Sequence, residues 1–154
     1  MSTSGTALRS GSGRIVVGVD GSPHSEEALR WAIGQARLTG QPVDAVTSWT
    51  VPVDLGVGGE GGLVAYDWEG LAIRTLEHTV AKVVNPADGV QVSQHVVVGH
   101  AATVLVAADA ALLVIGSRGR GGFAGMLLGS VSQHVNARAT SPVVVVRAPS
   151  DEQK

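Results

Sequence analysis

Cysteine is absent from the 154 residues, which excludes a disulfide framework, a thiol nucleophile and a cysteine zinc site and fits a reducing interior. Lysine is scarce, occurring only at Lys82 and Lys154. No apolar run is long enough to cross a bilayer, and the opening MSTSGTALRSGSG has no apolar signal core. The expectation is a cytoplasmic protein without a membrane partner. A formal net charge of −2 supplies no bulk positive charge for nucleic acid. The five histidines, His24, His78, His95, His100 and His134, follow no metal-ligand spacing. A chain of this length suits one domain with enough interior to fold without staples.

Glycine is what the chain has in quantity, and its placement is the first functional signal. The run Ala110 to Ile115 (AALLVI) is apolar throughout, as expected of a strand buried on both faces of a parallel sheet, and Val131 to Ala139 reads as helix. Between them lies GSRGRGGFAGMLLGSV, Gly116 to Val131, in which Gly116, Gly119 and Gly129 followed by Ser130 give the spacing G-x2-G-x9-G-S. Glycines at a strand-to-helix turn bring bare backbone N–H groups against an anion, aided by the positive end of the helix. The alternative is a turn that merely allows close packing. Arg118 and Arg120 place positive charge inside the loop, where they either meet phosphate or stay solvated. No Gly-Lys-Ser/Thr is present, which disfavours a P-loop motor or kinase.

Around this loop the chain alternates strand and helix. Residues 1–13 read as a disordered tail, 14–148 as the domain and 149–154 as a second tail. Ile15 to Val19 is a β-branched run. Ser22 suits an N-cap, Pro23 the first helical position, and Glu26 and Glu27 the positive end of the helix dipole. Leu29, Ala32, Ile33 and Ala36 form its buried stripe, ending near Gly40. Asp20 stands at the carboxyl end of the first strand, the edge where open α/β sheets hold ligands, or else it is a turn aspartate bonding its own backbone. Pro42–Trp49 reads as strand, Ala65–Val84 as helix, Val90–Val98 as strand, His100–Asp109 as a short helix and Val143–Val146 as strand. The G-x-G-x-x-G at Gly56–Gly61 follows a long break after Trp49 rather than a strand, so it is an accidental match in a connection. His134, four residues after Ser130, reads as an exposed residue or cap neighbour rather than a base.

The alternation implies a five-stranded parallel sheet covered on both faces. The glycine spacing, the N-terminal VVGVDGS (Val16 to Ser22) and the C-terminal SPVVVVR (Ser141 to Arg147) together resemble the universal stress protein family, in its ATP-binding branch, from Arg14 to Arg147. Two positions depart from the family, which often has proline where His100 stands and aspartate where Ala111 stands. The resemblance implies a single-domain, Rossmann-like α/β fold with strand order 3-2-1-4-5, which sets Asp20 beside Gly116. It implies ATP with Mg²⁺ as ligand, Gly18, Asp20 and Ser22 at the nucleotide with Asp20 near its ribose and metal, and backbone at Val46 and Thr47 against the adenine. The phosphates would be wrapped by Gly116, Ser117, Arg118, Gly119, Arg120, Gly121, Gly122, Gly129, Ser130, Val131 and Ser132. The last strand would be a sheet edge, whose unpaired backbone and four valines invite a homodimer, as the family also implies. The function expected is an ATP-binding regulatory module of the stress response without dedicated catalysis. A slow ATPase or autophosphorylating enzyme, or a partner-binding protein with a vestigial pocket, are the alternatives.

Overall fold

A computed structural model describes residues 13–52, 66–119 and 128–149. Five parallel strands form one sheet, β1 (Ile15–Gly18), β2 (Val43–Trp49), β3 (Val92–Val98), β4 (Leu112–Gly116) and β5 (Val143–Val146), in the order β3-β2-β1-β4-β5. The helices α1 (Pro23–Thr39), α2 (Trp68–Val83), α3 (Ala101–Ala107) and α4 (Ser130–Arg138) cover it. Period-two alternation divides the core. Ile15, Val17, Val43, Ala45, Val96 and Val114 face α1 and α2, where Ala28, Leu29, Ala32, Ile33 and Leu76 meet them. Val16, Val46, Leu113 and Ile115 point the other way, toward Leu105 of α3 and Val135 of α4.

Local chemistry sets most element ends. The Ser22 hydroxyl accepts from the Ser25 N–H at 3.2 Å, Pro23 opens α1, and Gly40 closes it at φ 77° with its N–H on Ala36 O. α2 begins at Trp68 rather than Ala65, because the Asp67 carboxylate caps it by accepting from the Gly70 N–H at 2.8 Å. α3 is clipped to seven residues and α4 starts one residue early, at Ser130. Neither has a side-chain cap. The expected tails and the Gly56–Gly61 connection lie, apart from Gly13 and Pro149, outside the described residues.

One charged residue is buried within the sheet. Asp44, 1% exposed on β2, accepts from Arg14 Nε at 2.8 Å and lies 3.4 Å from His95 Nε2 on β3. Burial alone would raise its pKa, but the approach of His95 and the hydrogen bonds and charge of Arg14 outweigh that and hold it at about 2. The same contact raises Arg14.

Candidate functional site

The carboxyl ends of β1, β2 and β4 open into a cavity of about 570 Å³ between α2 and α3. Because β1 pairs with β4 on one side and β2 on the other, the residues following all three converge there. Of the expected ligand residues, Gly18, Asp20, Val46, Thr47, Gly116, Arg118, Gly119, Gly129, Ser130, Val131 and Ser132 line it. Ser22 and Ser117 do not. Arg120, Gly121 and Gly122 lie outside the described residues.

The two readings of Asp20 coexist in one side chain. Its Oδ1 accepts from the Ser22 N–H at 2.9 Å, the local turn bond, while Oδ2 faces Gly119, where an added Cβ would stand 2.6 Å away. Oδ2 takes no hydrogen bond among the described residues and is free for a ligand. Ser22 is spent on capping α1. Gly116 turns out to serve packing as well as the cavity, since a Cβ there would meet the carbonyl carbon and Cβ of His24 at 2.8 Å. Gly18 makes similar room for Leu105, whose Cδ1 would lie 2.9 Å from a Cβ.

The two ends of the glycine loop are sewn together at Ser117. Its carbonyl accepts from the Gly129 N–H at 2.7 Å and from the Ser132 hydroxyl at 3.2 Å, and its own N–H donates to Val146 O at 2.7 Å. The Ser132 hydroxyl also lies within donating distance of Gly116 O at 2.6 Å, so its proton holds the loop. Ser130, by contrast, is exposed at the mouth of the cavity. No side chain caps α4, and its first-turn residues Ser130, Val131 and Ser132 line the cavity, so their N–H groups have no side-chain acceptor. The Arg118 guanidinium has no ion-pair partner among the described residues. Its charge, after burial, helps to push the His24 pKa down, with Asp20 opposing.

At the other end the cavity is apolar. Trp49, Trp68, Leu71, Ala72, Val104 and Leu105 wall it, and Tyr66 stacks obliquely on Trp68 with ring centroids 4.6 Å apart. None of these wall residues is an expected ligand position, Leu71 reading from the sequence only as a buried helix position, although two of the three tryptophans sit at an element end facing the crevice. Val46 O accepts from the Val19 N–H at 2.8 Å and the Thr47 hydroxyl donates to Val19 O at 2.8 Å. That leaves the Val46 carbonyl one lone pair for a ligand. His134 is exposed on α4. Among the described residues no group of three His, Asp or Glu forms a metal cage, and no helix is long and apolar enough to cross a membrane.

The family model described as the universal stress protein family matches residues 11–147. The chain belongs to the universal stress protein family. A universal stress protein of Mycolicibacterium smegmatis is 38% identical over 86% of this chain and 45% of its own length. The chain thus spans about half the length of such relatives. Among solved structures, a universal stress protein from Archaeoglobus fulgidus in complex with dAMP is 28% identical, covering 86% of this chain and 96% of that one, with a TM-score of 0.62. Another universal stress protein, in complex with cAMP, is 26% identical over 88% of this chain and 97% of that one, with a TM-score of 0.61. The Rossmann-like sheet and its order are therefore those of this family of domains.

Proposed function

We propose that this universal stress protein is an ATP-binding regulatory module. The observation that carries the reading is the composition of the cavity. One end combines the uncapped N-terminus of α4, the unpaired Arg118 and two lining glycines, Gly119 and Gly129, whose Cβ atoms would meet Asp20 Oδ2 at 2.6 Å and Arg118 Cα at 3.3 Å, and the other is an aromatic and aliphatic slot. An adenine ring suits the slot between Trp49, Trp68 and Val104, and a phosphate chain suits the charged end. The likeness to proteins that bind dAMP and cAMP supports an adenine nucleotide. Asp20 Oδ2 would hold the ribose or a Mg²⁺ whose remaining ligands are phosphate oxygens and water, as this cation usually prefers.

Dedicated catalysis is not part of this reading. Ser117 Oγ lies 3.0 Å from His24 Nδ1, a spacing that a nucleophile and base would need, but Ser117 is 1% exposed and off the cavity lining. Any hydrolysis would be slow and incidental. The β5 edge would pair with a second copy. Leu113 and Ser117 donate to the carbonyls of Pro142 and Val146, so by period two the backbone groups of Val143 and Val145 point outward from the sheet.

Calorimetric titration with ATP, ADP, AMP and cyclic AMP, each with and without Mg²⁺, tests the assignment. ATP should bind more tightly than AMP, because its longer phosphate chain brings more negative charge to Arg118 and the N-terminus of α4. Absence of heat with all four would remove the proposal.

A further inference from the structure

His24 sits where three parts of the molecule meet. It is the second residue of α1, its backbone lies against Gly116 at the end of β4, and its ring reaches the segment leaving β5. Nδ1 accepts from the Ala148 N–H at 3.0 Å and lies 3.0 Å from Ser117 Oγ. A backbone N–H can only donate, so Nδ1 is the unprotonated nitrogen, the neutral ring carries its proton on Nε2, and the Ser117 hydroxyl donates to the same lone pair. Ser117 in turn holds Gly129, Ser132 and Val146 through its main chain. The next two residues, Arg118 and Gly119, line the cavity.

We propose that His24 is a positioning residue of the nucleotide pocket, its neutral ring tying Ser117, and with it both ends of the glycine loop, to the segment that leaves β5. The inference rests on the nucleotide reading. Without the ring acceptor, Ser117 and Ala148 lose a shared anchor, and a nucleotide has to fix Ser117 and its neighbours Arg118 and Gly119 when it binds. By reciprocity, bound nucleotide should steady the Ala148 segment.

The anchor is sensitive to acid. Two charged groups act on the ring, Arg118 after β4 and Asp20 before α1, and the segment after β5 presents the Ala148 amide. Burial and Arg118 hold His24 below its ordinary value of 6.5. Protonation puts a hydrogen on Nδ1, so Ser117 must turn to accept it and Ala148 is left without an acceptor. Because the folded value is the lower one, the anchor is fully present above the unfolded value and lost as pH falls through the folded one.

Two substitutions separate the acceptor from the shape of the ring. His24→Asn places a non-titrating oxygen where Nδ1 was, and His24→Leu removes the acceptor. Near pH 8, His24→Leu should weaken ATP about tenfold, the loss of one well-placed hydrogen bond, with His24→Asn within about threefold of the wild type. Amide hydrogen exchange should show Ala148 protected in the wild type and His24→Asn but not in His24→Leu. In acid only His24→Asn should keep that protection, a comparison that decides the matter even if His24→Leu does not fold. Equal ATP affinity in wild type and His24→Leu, or no rescue by His24→Asn, would overturn the inference alone. A wild type that binds no ATP would overturn both it and the nucleotide reading.

Discussion

Two glycines of one motif should fail in different ways when given the same methyl group. At Gly116 the added Cβ meets backbone and Cβ of His24 at 2.8 Å, and neither can yield unless α1 moves off the sheet. Such overpacking costs about 1–3 kcal/mol, against which Gly→Ala returns about 0.4–1 kcal/mol by restricting the unfolded chain, since neither glycine has a positive φ. The net loss is roughly 1–2 kcal/mol, or about 2–8 °C in Tm for a domain of this size. At Gly119 the obstacle is Asp20 Oδ2, 2.6 Å away at the end of a side chain that can rotate. Gly119→Ala should therefore keep its Tm within about 2 °C while displacing the carboxylate from the cavity, and ATP affinity should fall about tenfold. Differential scanning fluorimetry and calorimetric titration of both variants check this. An unchanged Tm for Gly116→Ala, or an equal Tm loss in Gly119→Ala, would refute the division of labour.

Asp44 should make the fold acid-sensitive. Its pKa of about 2 lies below the unfolded value of 3.8, so its contribution is complete above the unfolded value and is lost as pH falls through the folded one. The amount is about 2 kcal/mol, and urea denaturation at several pH values should show this loss in the wild type and not in Asp44→Asn. Val145→Pro removes an outward N–H while leaving the β4 pairing in place, so light scattering should find a wild-type dimer and a variant monomer. A wild type that runs as a monomer would refute the edge as an interface. Phosphate release in single-turnover conditions should be far slower than the roughly 1–100 s⁻¹ of kinases. Turnover in that range, lost in His134→Ala, would show that exposed histidine to be a base after all.

How far the sequence could be read depended on whether a residue's role is local. Ser22, Pro23 and Gly40 delimit α1 through contacts within a few residues, and the pattern states them directly. The adjacency of β1 and β4 has no local signature and comes from resemblance, as does the strand order, and it is Gly119 rather than the expected Gly116 that faces the Asp20 carboxylate. The apolar wall was hidden because Trp68 and Leu71 look like any buried helix positions until α2 is laid over the strand ends. Ser117 and His24 lie 93 positions apart, and a lone histidine after a proline carries no sign of a partner. For the same reason the bond from the hydroxyl of Ser132, a ligand residue by resemblance, to the Gly116 and Ser117 carbonyls is invisible in the sequence.

The buried carboxylate of Asp44 also bears on how the sheet finds its alignment. β1 (IVVG), β4 (LLVIG) and β5 (VVVV) are short, apolar and nearly interchangeable, so their side chains distinguish poorly between one alignment and another two residues away. A one-residue slip would turn Asp44 to the opposite face of the sheet, and a two-residue slip would carry it past Arg14. Either leaves a charge in the interior without its guanidinium, at a cost of about 3–5 kcal/mol. Among strands whose side chains distinguish alignments poorly, the Arg14–Asp44 pair sets a cost on every alignment of β1 against β2 but one.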